Sequence, residues 1–405
     1  MRIQSLWYVL VLSLLLVGMT GCGDETDGGG STAGDGSILG PDGSGGGDGT
    51  GDSNSTGGGD SNTTTETRTL AVLGNGAHTM DAVAAMALVG PQEGLFGPRD
   101  LEFKPDADME LWVVNRNDNS MTIIQDAGGA AMDIMTVSHF SGGHFMVNPI
   151  SLSFGAPGSL ATIHETDQIT QPSTPADFMG PTLHSSVIAE FDGGHGGHLD
   201  MLHNSPNGVG IAWERDNAYW VFDGYHSSIT RYDFNSDHGL GGSDHTDGEV
   251  DRYIQDEVLR VPDVLSKMIF DPDTEMLYIA DSGHGRVLIL DTTSGTRGAA
   301  IFPNYDGTRQ NIVDNAAFDV MGDGSMEAML VRPSGLAIQD DVLFVADNAT
   351  GTIYGFDRND GSLIDYLETG AADGALQGIT LDTNGSLYFI DGISEQVWRV
   401  SPLAE

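Results

Sequence analysis

Cysteine, basic side chains and long apolar runs are all scarce in this 405-residue chain. Cys22 stands alone, which excludes a disulfide framework and any cysteine-based zinc knuckle. Lysine occurs only at 104 and 267, and 16 basic residues face 59 acidic ones for a formal net charge of −43. That balance argues against a nucleic-acid partner, because binders of either duplex or single strands need basic surface to replace counterions. The longest apolar stretch, residues 6–17, is too short to span a bilayer as a permanent helix. What is plentiful is glycine, at 57 residues, so turns must be numerous. With 39% hydrophobic content, including 15 Phe, 10 Tyr and 5 Trp, the chain has enough apolar matter for a packed core.

Residues 1–22 read as an export signal: Arg2 gives a positive start, residues 6–17 are the apolar core, and Met19-Thr20-Gly21-Cys22 ends it with small residues. This end resembles a bacterial lipobox, which implies lipidation of Cys22 as the first residue of the mature chain. The other reading is an ordinary signal peptide with an incidental cysteine. Residues 23–65 hold Gly, Ser, Thr or Asp at 36 of 43 positions and have no aromatic residue. Such a segment cannot offset the entropy cost of folding and is expected to be a flexible tether, with an end-to-end distance of about 35–40 Å.

From residue 66 the chain repeats. Six short apolar runs each end at a polar residue, at Asn115, His164, Asp223, Asp281, Asp347 and Asp391, spaced 49, 59, 58, 66 and 44 apart. A second apolar strand precedes each run, opened by Pro or Gly, as at 98–103, 149–154, 207–211, 262–270, 333–338 and 377–381. A third strand follows most clearly at 228–233, 286–291, 352–357 and 396–400, and a fourth at 363–368. Four strands per unit, the second apolar on both faces, predict radially stacked sheets, an all-β six-bladed propeller with four-stranded blades over residues 66–405. The last unit runs out after three strands, so an N-terminal strand at residues 69–73 (TLAVL) is expected to complete it and close the ring.

Residues 280–289 (ADSGHGRVLI) and 95–101 (LFGPRDL) resemble units of the NHL-repeat propellers. That resemblance implies the fold and leaves function open, since the fold hosts enzymes, sensors and scaffolds. Two enzyme families are also similar in part. Residues 114–118 (VNRND), with Arg116, and 222–228 (FDGYHSS), with Tyr225, are similar to the segments carrying the catalytic arginine and tyrosine of peptidyl-α-hydroxyglycine α-amidating lyases. The histidines that hold zinc in those lyases are matched here by Ile150, Asp263 and Gln377. Gluconolactonase-like propellers hold a divalent cation with Glu, Asn and Asp where blades begin. Asn207 and Asp263 are similar to the last two, with Asn148 at a further blade start, but Arg99 occupies the Glu position. The alternative for Pro-Asn-Gly and Pro-Asp is a plain turn that opens a blade.

In an antiparallel blade the turn between strands two and three shares one face with the link to the next blade. Arg116, Tyr225, His226, His284, Asn207 and Asp263 are therefore expected on one ligand-binding face, with most of the 12 histidines. Within residues 192–203 (DGGHGGHLDMLH), His195, His198 and His203 are spaced to converge on a divalent metal such as Zn²⁺. The other reading is a Gly-rich loop whose histidines are solvated or cap carbonyls. His238 and His245 are assigned to an Asp-rich hairpin on the opposite face, where residues 233–239 loosely resemble a Ca²⁺ loop with its glycine displaced by one. The folded part has no nucleophile elbow, HExxH helix or phosphate loop.

The sequence therefore leads to a monomeric, lipid-anchored propeller of a bacterial cell envelope, outer-membrane, periplasmic or surface-exposed, that touches the membrane through its anchor alone. Its expected work is recognition of an envelope protein, peptide or small molecule. The alternative is a hydrolase or lyase dependent on a divalent metal, Zn²⁺ or Ca²⁺; no cofactor is otherwise required.

Overall fold

The computed structural model describes residues 68–138, 143–167, 176–193, 197–322 and 324–404. Cys22 with the rest of residues 1–22, the 23–65 stretch, His139 and His195 lie outside the described residues, as does the side chain of His144.

Strand β1 (Val83–Val89) comes first, followed by β2 (Pro98–Phe103), β3 (Leu111–Asn115), β4 (Ser120–Gln125) and β5 (Asp133–Ser138), which pair in order as blade 1. Blade 2 is β6 (Pro149–Phe154), β7 (Ser159–His164), β8 (Thr182–Ser185) and β9 (His198–Met201). Blade 3 is β10 (Gly210–Arg215), β11 (Ala218–Asp223), β12 (Ser228–Asp233) and β13 (Glu249–Tyr253). Blade 4 starts as β14 (Met268–Asp271), β15 (Met276–Asp281) and β16 (Arg286–Asp291). The chain then makes a hairpin, β17 (Thr296–Ala300) and β18 (Arg309–Asp314), before β19 (Phe318–Val320) completes that blade. Blade 5 is β20 (Pro333–Gln339) to β23 (Leu363–Glu368), through β21 (Val342–Asp347) and β22 (Thr352–Asp357). Blade 6 is β24 (Leu376–Leu381), β25 (Leu387–Asp391) and β26 (Gln396–Pro402), with β1 as its outer strand. The protein is a six-bladed β-propeller.

Second strands are buried along their whole length in blades 1, 2 and 3, because both faces of each blade are covered by its neighbours. Aromatic residues fill the gaps between blades: Trp112 of β3 packs edge-on against Phe154 of blade 2 and against Phe191. Burying a large apolar side chain of this kind contributes about 1.5–3 kcal/mol. The polar residues ending the second strands act as staples. Asp347, for example, accepts the amides of Ala349 and Thr350 in its own turn and those of Val331 and Arg332 in the incoming link.

The ring is closed by an N-terminal strand, but a different one from that expected. Val83–Val89 pairs antiparallel with β26, whereas residues 69–73 carry a 3₁₀ turn, Ala71–Leu73. The Asp365 carboxylate captures the amides of Leu70 and Gly76 at 2.9 and 3.1 Å, which curls this segment against blade 5 and buries Leu73. The β17–β18 hairpin is a second departure from four-strand regularity. It leaves blade 4 and adds to blade 3, with β18 parallel to β13, making one six-stranded sheet.

Candidate functional site

Topology puts the turns after the second strands and the links between blades on one face, around the axial mouth. Arg99 stands at the start of β2, Arg116 follows β3, Glu165 follows β7, and Arg260 and Asp263 lie in the link from β13 to β14. The Glu165 carboxylate is buried and takes Arg260 at 2.6 Å, Arg116 at 3.1 Å and the Asp263 amide at 3.0 Å. Arg116 also reaches the Asp263 carboxylate at 2.9 Å, and that carboxylate is 61% exposed. Burial holds the Glu165 carboxyl above its usual range, although the Asp263 amide and the two guanidiniums oppose this.

Arg99 is bound differently. Its Nε donates to the Asp263 carbonyl and its Nη1 to the Pro98 carbonyl, each at 3.0 Å, and among the described residues no carboxylate comes within ion-pair distance. Burial, and then the charge of Arg116, lower its pKa against the opposing charges of Asp263, Glu165 and Glu395. Arg99 lines a cavity of about 330 Å³ with Asp263, Arg332, Asn348 and Gln377. Deeper along the axis, the buried Lys267 ammonium donates to buried Asp100 at 2.9 Å, to partly exposed Glu102 at 3.3 Å and to the Leu152 carbonyl at 3.1 Å. Burial raises the Glu102 carboxyl, while the two carboxylates outweigh burial for Lys267 and hold its ammonium above the ordinary lysine value. Beyond this cluster the six inner strands line a further cavity of about 320 Å³.

The six residues expected on one face divide into contacts of the mouth and parts of turns. Arg116 and Asp263 are in the ion-pair network. Tyr225 is 55% exposed in the turn after β11, where its ring meets that of His226. The preceding Gly224 lets Arg260 pass: a Cβ there would lie 2.2 Å from the Arg260 Cδ and equally close to the Asn207 carbonyl oxygen. Asn148, Asn207 and Asp263 all have positive φ, at 49°, 54° and 66°, a conformation that Asn and Asp adopt more readily than other non-glycine residues. Their backbone role explains why these residue types open blades. His226 and His284 each place Nδ1 2.8 Å from the aspartate three residues earlier, Asp223 and Asp281, bracing their turns.

Other described histidines are engaged within or between blades. His164 is buried in β7 and faces the Gly180 carbonyl, and His184 is buried in β8 beside Thr162. His198 opens β9, so residues 186–197 connect the third and fourth strands of blade 2 and do not link blades. The connection from β12 to β13 occupies the same position in blade 3, which explains why His238 and His245, assigned to the opposite face, meet His198: its ring is 4.8 Å from that of His238 and 6.4 Å from that of His245. His203 stacks on Phe178 at 4.0 Å and its Nδ1 meets Asp306 at the tip of the β17–β18 hairpin. His198, His203 and His245 line one open groove of about 830 Å³ with Phe145, Phe178, Leu240 and Tyr305. Residues 233–239 form a turn held by their own carboxylates, Asp233 accepting the Asn235 amide and Asp237 that of Gly239.

Glu165, Arg260 and Arg332 escaped the reading of the sequence. A signal was present: in a chain so poor in basic residues, Arg99, Arg260 and Arg332 all stand within two residues of a proline that opens a blade, Pro98, Pro262 or Pro333.

No family model matches the chain, and no curated protein does. Among solved structures, a protein from Bacteroides thetaiotaomicron described as an auxiliary nutrient binding protein aligns with TM-score 0.53 and 10% identity, covering 78% of this chain and 76% of its own. Another from the same organism, of unknown function, aligns with TM-score 0.50 and 13% identity over 79% and 72%. Virginiamycin B lyase from Staphylococcus aureus gives TM-score 0.47 and 11% identity over 79% and 99%. At such identities the first two support the propeller fold and nothing finer. Among the described residues no helix is long and apolar enough to cross a membrane.

Proposed function

We propose that the chain is a lipid-anchored recognition propeller of a bacterial cell envelope, and that it binds an anionic group, a carboxylate by preference, at the mouth of its axis. The anchor and location rest on the export signal, the lipobox-like Met19-Thr20-Gly21-Cys22 and the tether of residues 23–65. The ligand class rests on Arg99. A guanidinium has five N–H donors, and here two are taken by carbonyls, none by a carboxylate among the described residues, while the side chain lines a cavity. A half-buried guanidinium that feels the charges of Asp263, Glu165 and Glu395 but hydrogen-bonds to none of these carboxylates keeps donors for an incoming anion. It also stands where gluconolactonase-like propellers have a cation-binding Glu, which replaces affinity for a cation with affinity for an anion.

Titration calorimetry with succinate, citrate and inorganic phosphate tests this. Binding of at least one carboxylate is expected, and Arg99→Gln should weaken it about tenfold or more, the worth of one charge-assisted hydrogen bond. The same variant, unliganded, should melt at the same temperature as the wild type or higher. Equal binding by both proteins, or binding by neither, would refute the ligand class. Retention of a Cys22→Ala variant in the membrane fraction with its signal removed would refute the anchor.

A further inference from the structure

The groove between blades 2 and 3 contains a cluster that the axial mouth does not use. Asp200, the third residue of β9, is 1% exposed. Its Oδ1 accepts the Met201 amide at 2.7 Å and faces His245 Nδ1 at 2.6 Å, while its Oδ2 is buried with no hydrogen-bond partner. His238 comes from the connection between β12 and β13, anchored by its own amide on the Leu199 carbonyl. Its Nδ1 is 2.7 Å from the Gly239 carbonyl oxygen. A carbonyl accepts only from N–H, so Nδ1 carries the hydrogen and Nε2 presents a lone pair. That Nε2 is also buried and without a partner. One potential ligand atom each from Asp200, His238 and His245 lies within 4.8 Å of the other two.

Asp200 Oδ2 and His238 Nε2 are each buried without a hydrogen-bond partner, and a cation shared by the three side chains would satisfy both. An imidazole whose far nitrogen donates to a backbone carbonyl is also oriented as metal-ligating histidines are. We propose that Asp200, His238 and His245 bind a divalent transition-metal ion, zinc by preference, at the outer seam of blades 2 and 3. Two imidazoles and one carboxylate suit zinc and its first-row neighbours, whereas Ca²⁺ and Mg²⁺ need six or more oxygens. Bond lengths of about 2.0–2.2 Å require the side chains to draw together by about 1 Å. His238 can make that move because Gly239, Gly241 and Gly242 follow it closely. Three protein ligands leave a fourth position open toward the groove and the His198 ring. The set differs from His195, His198 and His203: His203 is engaged by Asp306, and two of the ligands come from the neighbouring blade.

Equilibrium dialysis of the chelator-treated full chain against ZnCl₂, followed by metal analysis, tests the site. One tightly held zinc per chain is expected, undisturbed by excess CaCl₂. His238→Ala, at a partly exposed position, should weaken it at least about 100-fold, beyond the 10–100-fold loss typical of a second-shell change, with an unaltered circular dichroism spectrum. Asp200→Asn should act alike, and should it unfold, His245→Ala replaces it. Because other histidines can also collect zinc, unchanged tight binding in the His238→Ala, His245→Ala double variant would overturn the proposal. So would the absence of tight zinc from the wild type. Arg99→Gln should bind zinc as the wild type does, which separates failure here from failure at the axial mouth.

Discussion

The axial mouth and the outer seam of blades 2 and 3 carry most of the distinctive polar chemistry of this propeller, and they are built by opposite means. At the mouth each side chain sits at a position the repeat supplies six times: Arg99 where an inner strand begins, Arg116 and Glu165 where second strands end, Asp263 in a link. The seam is built from departures from the repeat. Its parts are a short fourth strand carrying His198 and Asp200, a long connection carrying His238 and His245, and a hairpin from blade 4 that brings Asp306. A repeat places the same backbone many times, so function at the mouth needs only a change of side chain. At the seam the backbone itself had to be added. Charge follows the same division: guanidiniums crowd the mouth, whereas imidazoles and carboxylates line the seam.

Mutation distinguishes the two regions, and the largest effect is expected on the axis. Lys267→Met leaves buried Asp100 and partly exposed Glu102 without their cation, a loss of about 3–5 kcal/mol by chemical denaturation. In the wild type the ammonium is held above the ordinary lysine value, so its contribution is complete below pH ~10.5. It should disappear as pH rises through the raised value, which melting curves from pH 9 to 12 would follow.

Asp306→Ala comes next. It removes the acceptor for both the amide and Nδ1 of buried His203 and should cost about 1–3 kcal/mol. A loss equal to that of Lys267→Met would mean that the seam is as much a part of the folding core as the axis, and the contrast would fall. His284→Ala should change stability least, by about 0.5 kcal/mol or less in the same assay, because Asp281 keeps Arg286 and the Leu259 amide. A larger loss would show that the turns at the mouth depend on their histidines.

The sequence reveals the two regions unequally. The inner and second strands of blades 1, 2, 5 and 6 stand within a residue of where apolar runs and opening prolines put them, because alternation and turn chemistry are local. In blades 3 and 4 the inner strands start later than read, at Gly210 and Met268, after the left-handed turns at Asn207 and Asp263. The closing strand was misplaced for a physical reason. Residues 83–89 (VAAMALV) are alanine-rich and do not alternate, and they are extended only because β26 offers them an open edge. Residues 69–73 look more like a strand, yet the distant Asp365 curls them. Thr296–Ala300 reads TRGAA, with no sign that its hairpin will pair with another blade. The metal cluster was hidden by the same non-locality, since Asp200 and His245 are brought together from adjacent blades across 45 positions of chain.

The pairing of β1 with β26 also sets an order of events during biosynthesis. Strand β1 enters the folding compartment near the start of the domain, while its partner follows roughly 300 residues later. Throughout that interval the ring is an open arc with an unsatisfied edge at each end, and such edges invite pairing with another chain. Residues 83–89 are wholly apolar and carry neither charge nor proline, so the waiting strand has no protection of its own. Its safety comes from the speed with which the last blade arrives and covers it.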